Sequence, residues 1–375
     1  MKNPDSLFKP FIKTNDKDNW AGYVSPRMGY FSRDPEERFG TGFLVATRVG
    51  TMDIPHIHDG AANYFVFTGA DLDNIWESKF EAAFCIGDNA DSMEIYHMST
   101  PSFVSAPAGL WHSPVYFKTV EKGLNCMLWY TGHAYARVYP RLNENGVSEP
   151  YIDQEPERIC VKDKTKKCYF CGLCFTDPNQ TDQEVIDYMA PYYEKASNEG
   201  KFKNLIMELR KDYHTLGDAI MSPRAVFKGS EDMPEVDRQF SINIITKPCK
   251  LGDDEPVSNG QIAEFLWFSG TDTTNAWETF DADIEIMVGD DPDNMQKVLF
   301  SEPGILVIPP GMWRGAITVK RAEKPICFIP WYPHNKKRYK ITQKTVDGKK
   351  VLIYDDETTI TQPTAGDELF MQIKR

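Results

Sequence analysis

The chain has 375 residues, with 42 Lys and Arg against 55 Asp and Glu, a formal charge of 42 − 55 = −13. That balance argues against nucleic acid or an anionic membrane as the main partner, because phosphate binding needs a basic face and the one compact basic run is Lys336-Lys337-Arg338-Tyr339-Lys340. The length points to two domains or one duplicated architecture, and no apolar leader or segment of the ~20 residues that span a bilayer is visible, so a cytoplasmic protein is expected.

Short runs rich in Val, Ile, Phe, Tyr and Trp alternate with Gly, Pro, Asn and Asp turns along most of the chain, which predicts strands throughout and little helix. The first chemical feature is Asp53 to Gly69, DIPHIHDGAANYFVFTG. His56 and His58 are two apart in an apolar and aromatic setting, and on a strand that spacing aims both imidazoles at one face. Asp59 points the other way and is a poor ligand. Further on, Pro107-Ala108-Gly109 is turn chemistry between the apolar runs Ser102 to Ala106 and Val115 to Phe117, so His112 begins a returning strand. Three neutral imidazoles suit Fe, Zn, Ni, Cu or Mn better than Mg or Ca. His97 reads as a core residue. Tyr64, Phe65, Phe67, Trp111, Tyr116 and Trp129 are candidates for lining a pocket, although alternate ones must face a core.

Asn143 to Pro156 is polar, with one Gly and two Pro, and reads as a linker. Cys160, Cys168, Cys171 and Cys174 follow, four of the chain's eight cysteines within fifteen positions. Three readings stand: a structural tetrathiolate zinc, an iron–sulfur cluster on the ferredoxin-like spacing of Cys168, Cys171 and Cys174, or free thiols or a redox disulfide. The iron–sulfur pattern wants a further Cys before Pro, and the chain instead continues Phe175-Thr176-Asp177-Pro178. Thr181 to Glu184 is a capping box opening the apolar-periodic run Val185, Ile186, Met189, and a second run passes through Leu205, Ile206 and Leu209, which predicts two helices.

The second half repeats the first. NYFVFTG at Asn63 to Gly69 matches EFLWFSG at Glu264 to Gly270, and Trp76 matches Trp277, at 264 − 63 = 201. One inserted residue later the offset is 202, and it holds for Gly87 with Gly289, Met93 with Met295, Pro107 with Pro309, Gly109 with Gly311 and Trp111 with Trp313. Under these offsets His56 becomes Val257, His58 becomes Asn259, His112 becomes Arg314 and Asn63 becomes Glu264, so the second half cannot hold the same metal. Cys126 and Cys327 occupy equivalent apolar runs and read as core. Arg27 and Arg224 follow the same Ser-Pro in both halves, a pattern read first as a structural ion pair. Lys344 to Asp355 around Val346-Asp347-Gly348 predicts a hairpin that covers the other half or a second subunit.

His56-Ile57-His58 between Gly50 and Gly69, followed by Pro107-Ala108-Gly109 and His112, resembles the paired motifs of the cupin superfamily. The first motif of that family reads Gly, five residues, His-x-His, three or four residues, Glu, six residues, Gly. Asn63 stands where its glutamate ligand normally sits, and Phe103 or Val104 replaces the leading glycine of the second motif. The resemblance implies an all-β fold of two tandem jelly-roll-like barrels: 1–143 with the metal site, 144–216 as a Cys-rich, partly helical linker, and 217–375 without metal ligands. It further implies one divalent transition metal at His56, His58 and His112, Fe(II) ahead of Zn, Ni and Mn, with Asn63 and Tyr64 as candidate catalytic residues and a homodimer as the expected assembly. The chain is thereby similar to three-histidine dioxygenases that act on small chelating aromatic or diketone-like acids. A Zn, Ni or Mn lyase, isomerase or decarboxylase and a non-catalytic small-molecule-binding bicupin are the alternatives.

Overall fold

The computed structural model describes residues 4–14, 27–31, 39–52, 55–58, 61–77, 79–90, 92–132, 137–142, 148–153, 182–214, 217–236, 238–252, 255–260, 262–332 and 341–354. The chain divides into two compact units, Lys13–Glu208 on one side and Met1–Ile12 together with Leu209–Arg375 on the other.

In the unit Lys13–Glu208 one antiparallel sheet runs Ile206–Glu208, Ser102–Ala106, Ala61–Gly69, Leu124–Gly132, Phe39–Ala46, Arg27–Phe31. A second runs Gly50–Met52, Trp111–Val120, Phe80–Gly87, Glu94–Met98. The two pack over one apolar core in which Phe65, Phe67, Val104 and Cys126 meet Phe84, Ile86, Met98 and Phe117. Alternation along each strand selects these residues, and the aromatic and β-branched composition makes them strands rather than helices. Val66, Met127 and Trp129, from the opposite face of the larger sheet, are buried as well, so the sheet is covered on both sides.

The other unit repeats this plan. Gly304–Ile308, Glu264–Gly270, Ile326–Tyr332 and Gln239–Ile245 stand side by side in one sheet, and Gln296–Phe300, Ala282–Gly289 and Trp313–Ala322 in the other. Phe268, Ile284, Ile286, Leu306, Ile317 and Phe328 fill the space between. The offset of 202 is therefore an offset of whole elements, as Phe80–Gly87 with Ala282–Gly289 and Ser102–Ala106 with Gly304–Ile308 show. Cys126 and Cys327 are both buried core thiols, and burial pushes the Cys126 thiol up. The expected all-β, two-barrel class is what the chain forms.

The second expected helix needs correction. The first of the two expected helices is present at Asp182–Tyr193, but the second run is a 3-10 turn at Lys203–Leu205 followed by the strand Ile206–Glu208. Ile206 pairs with Val104 and Glu208 with Ser102, so the open edge of the sheet claimed a segment whose local periodicity was helical. The compact units also run across the repeat. The helix and the strand after it belong to the N-terminal unit, while residues 1–12 belong to the C-terminal one. There Phe8–Pro10 pairs with Gly304–Ile308, the equivalent of the strand that Ile206–Glu208 covers. Each barrel thus closes the same vulnerable edge with a segment brought from outside its own repeat. Cys160, Cys168, Cys171 and Cys174 lie outside the described residues.

His97 is half-buried rather than in the core, its ring edge-on to Tyr193 of the helix with centroids 5.4 Å apart. Arg224 forms an ion pair with Asp212 and donates to Asn243 Oδ1 at 3.2 Å, the structural role read for it. The hairpin is present as Ile341–Val346 and Lys349–Tyr354, joined by Asp347 and Gly348 with φ of 49° and 75°. A Cβ at Gly304 would lie 2.7 Å from the Lys9 carbonyl and closer still to the Phe8 ring. Gly304→Ala is accordingly expected to push the N-terminal strand off its edge and cost ~1–3 kcal/mol of overpacking, read as a lower denaturation midpoint and faster proteolysis within residues 1–12.

Candidate metal centre

The site is assembled by two returns of the chain in the N-terminal unit. His56 bridges His112, the backbone N–H of each donating to the carbonyl of the other at 3.1 and 3.0 Å. Gly109, at φ 77°, closes the turn between Pro107 and Leu110 and donates to the His58 carbonyl at 3.0 Å, which ties that turn to the His56–His58 segment. Gly311 has the same φ and bonds Gly260 in the second unit, so the turn is part of the repeat.

A bulge then sets the aim of His112. Opposite Phe80–Gly87 the register passes from His112↔Ile86 to Val115↔Phe84, three residues advancing against two. On an unbulged strand residues three apart, such as His112 and the core residue Val115, face opposite sides, and the bulge brings them to the same one. Ser113, at φ 66°, and Pro114, which has no N–H to give a ladder, occupy the irregular stretch.

The three imidazoles are each 1% exposed, and their ligand-type nitrogens lie within 4.8 Å of one another. His112 Nδ1 donates to the Leu110 carbonyl at 2.9 Å, which leaves its Nε2 lone pair pointing inward. Asn63 sits among these rings, with Nδ2 2.8 Å from His58 Nε2 and 3.2 Å from His112 Nε2. An amide N–H thus occupies the place toward which two lone pairs converge, while the buried Asn63 Oδ1 has no hydrogen-bond partner among the described residues. Rotation of the same amide about its last torsion offers that oxygen instead. Three imidazoles and a neutral oxygen on a rigid sheet make a suitable donor set for a divalent transition ion. Phe65 stands edge-on to His112 with centroids 5.8 Å apart and closes the apolar side.

The structure brings His56, His58, His112 and Asn63 to one place. Tyr64 is a correction: it neighbours Asn63 on Ala61–Gly69 and faces the other side of the sheet, stacked on Phe103 with centroids 6.1 Å apart. Trp129, its cross-strand partner, shares that face. Tyr130, by contrast, lies opposite Asn63 in register, over Gly40, where a Cβ would collide with its ring. The pairing of Tyr130 with Tyr332 in the repeat was the available signal for it.

In the C-terminal unit the equivalent centre is filled by a side-chain cation. Arg314 donates to Glu264 through Nε at 2.6 Å and Nη2 at 2.9 Å, Asn259 Nδ2 donates to the same carboxylate at 2.9 Å, and the Tyr332 hydroxyl donates at 2.7 Å. Glu264 is fully buried. Burial alone would lower the Arg314 pKa, but the Glu264 charge and hydrogen bonds to Glu264 and Tyr332 outweigh it and hold the guanidinium further up.

No family model and no curated protein sequence matches the chain. Solved structures do. Oxalate decarboxylase from Lactobacillus farciminis, in a formate complex, has a TM-score of 0.51 and 12% identity over 89% of this chain and 88% of that one. Oxalate decarboxylase from Bacillus subtilis, at pH 4.6, has a TM-score of 0.50 and 10% identity over 87% and 76%. Vicilin from Solanum lycopersicum has a TM-score of 0.51 and 12% identity over 89% and 85%. The chain has the two-barrel fold that these proteins share. No helix among the described residues is long and apolar enough to cross a membrane.

Removing Glu264 would strand Arg314 in the barrel. Glu264→Ala should destabilise the C-terminal unit by ~3 kcal/mol or more, whereas the paired change Glu264→Leu with Arg314→Met should be much closer to neutral. Chemical denaturation of both variants checks this.

Proposed function

We propose that the chain is a metal-dependent enzyme acting on a small chelating acid at His56, His58 and His112. The observation that carries this reading is the convergence of three buried imidazoles on one point, with the Asn63 amide beside it. Such a group inside an apolar barrel is costly unless its lone pairs meet a cation or a donor.

A divalent transition ion held there supplies Lewis acidity and, if it is Fe(II), the capacity to react with O2. The chain's own part is mostly electrostatic and steric. Because all the donors are neutral, the site keeps its positive charge and favours an anionic, bidentate oxygen substrate. The hydrogen bond from His112 Nδ1 to Leu110 fixes which nitrogen faces inward. Phe65 and the surrounding core exclude water, which strengthens every charge interaction inside. Asn63 can donate an N–H to a substrate oxygen or turn its own oxygen inward, and it brings no charge in either orientation. These features favour the three-histidine oxygenase reading with Fe(II).

The likeness of the fold to two oxalate decarboxylases favours a second reading of the same residues, a Mn, Zn or Ni lyase that cleaves a small dicarboxylate. Anaerobic metal analysis, followed by O2 uptake and CO2 release with catecholic, diketone and dicarboxylic acids, separates the two. Stoichiometric O2 consumption supports the oxygenase, CO2 release without net O2 loss supports the lyase, and turnover of none of them leaves a binding protein. The cysteines at 160, 168, 171 and 174 are proposed from sequence alone as a separate zinc or iron–sulfur site.

His58→Ala should reduce the barrel metal from about one per chain to none while leaving metal at the cysteines unchanged. Retention of full metal content would place the ion elsewhere. Asn63→Glu tests the neutral position: the added carboxylate should keep or raise metal affinity, yet lower turnover by ~10-fold or more, since it removes charge and an open place the substrate needs. A glutamate variant as active as the parent would move the assignment toward the lyase.

A further inference from the structure

The C-terminal barrel holds a carboxylate of its own chain in the way a protein holds an anionic ligand. Glu264 Oε1 accepts from the Tyr332 hydroxyl at 2.7 Å and from Arg314 Nη2 at 2.9 Å, and Oε2 accepts from Arg314 Nε at 2.6 Å and Asn259 Nδ2 at 2.9 Å. Every residue of this arrangement has a counterpart in the N-terminal barrel. Asn63 stands for Glu264, His58 for Asn259, His112 for Arg314 and, at 332 − 130 = 202, Tyr130 for Tyr332. The cationic role of Arg314 passes to three imidazoles whose donor set suits a metal ion. The carboxylate is the part that does not recur, because Asn63 is neutral and one methylene shorter than Glu264.

Tyr130 keeps the position from which Tyr332 acts. It is 8% exposed and pairs with Asn63 on one side and Gly40 on the other, so all three face the same side of the sheet. Its ring rests over Gly40, where a Cβ would collide with it. On the corresponding side Tyr332 is paired with Gln239, which has a Cβ, and its hydroxyl is turned the other way, to Glu264. The two copies therefore display two settings of one side chain, away from the centre in one barrel and into it in the other, as staggered rotamers allow. Gly40 opens the first setting to Tyr130.

We infer that Tyr130 is the residue by which the N-terminal centre recognises a substrate carboxylate: its ring turns from Gly40 toward Asn63, and its hydroxyl donates to a carboxylate oxygen placed as that of Glu264 is. This rests on the metal-dependent reading of the same centre and adds to it the chemical class of one substrate arm. The hydrogen bond is charge-assisted and made in a buried, apolar setting, where it is stronger than in water. Asn63 Nδ2 supplies a second donor, as Asn259 Nδ2 does for Glu264.

Zinc-loaded full-length protein, titrated calorimetrically with glycolate, a small chelating acid, and with imidazole, a neutral ligand that needs only the metal, tests this. Tyr130→Phe should keep the barrel metal content and the imidazole affinity of the parent and bind glycolate ~10-fold or more weakly. In protein labelled with 3-fluorotyrosine, the fluorine resonance that is missing from Tyr130→Phe should move further with glycolate than with imidazole. Equal glycolate affinity in parent and variant overturns the inference while the metal site stands, and so does a resonance that answers both ligands alike. Equal losses of glycolate and imidazole binding make Tyr130 a structural prop of the centre and overturn it too, as does a metal-loaded parent that binds imidazole but not glycolate. A parent that takes up no barrel metal overturns the metal-dependent reading, and the inference falls with it.

Discussion

Each barrel carries a polar group at its centre that an apolar interior cannot leave unanswered, and the C-terminal barrel answers it with a cation of its own chain. In the C-terminal unit the polar group is a carboxylate, Glu264, and the answer is the guanidinium of Arg314, reinforced by Asn259 and Tyr332. In the N-terminal unit the corresponding positions hold three imidazoles and an amide. No side-chain cation stands at the equivalent of Arg314, because that position is His112 itself. The duplicated fold therefore closes its second centre with a guanidinium of its own chain, and its first has a donor set suited to a metal. Uncompensated burial of either set would cost several kcal/mol, a large share of ordinary domain stability.

The backbone devices that aim these groups are shared. Gly109 and Gly311 have the same positive φ, and both Trp111–Val120 and Trp313–Ala322 shift register after the central residue, between His112 and Val115 in one and near Arg314 in the other. The scaffold thus presents a side chain at one defined place, and exchange of residue type at four positions changes what that place does. That division of labour is general: the fold fixes geometry, and the residues grafted onto it fix the chemistry.

Much of this was legible in the sequence because it was local or repeated. The His-x-His spacing, the Pro-x-Gly turn, the Asp347-Gly348 hairpin and the offset of 202 each rest on residue type at fixed separation. What was not legible depended on pairing partners. Ile206 reads as helical by periodicity and becomes a strand because Val104 offers it an edge. Phe8–Pro10 carries no signal that it pairs with Gly304–Ile308, some three hundred residues away along ~3.3 Å steps of chain. Tyr64 neighbours Asn63 in sequence, and on a strand adjacency means the opposite face. The partnership of Arg314 with Glu264 was hidden for a similar reason. Comparing the halves shows that the ligands are lost, whereas the ion pair that replaces them appears only when strands from the two sheets, with Glu264 and Arg314 fifty residues apart in sequence, face each other inside the barrel.

The use of residues 4–12 to complete the C-terminal barrel bears on how the chain emerges from the ribosome. The unit Lys13–Glu208 has all its strands once residue 208 has been made, and domains tend to fold as they appear. Phe8, with its ring stacked on Phe300 at 4.2 Å between centroids, and Phe11, packed against Trp267 at 4.4 Å, have no such partners during that time. The strand Phe8–Pro10 must then stay uncommitted until Gly304–Ile308 has been translated, with the apolar side chains of Leu7, Phe8 and Phe11 waiting for their partners.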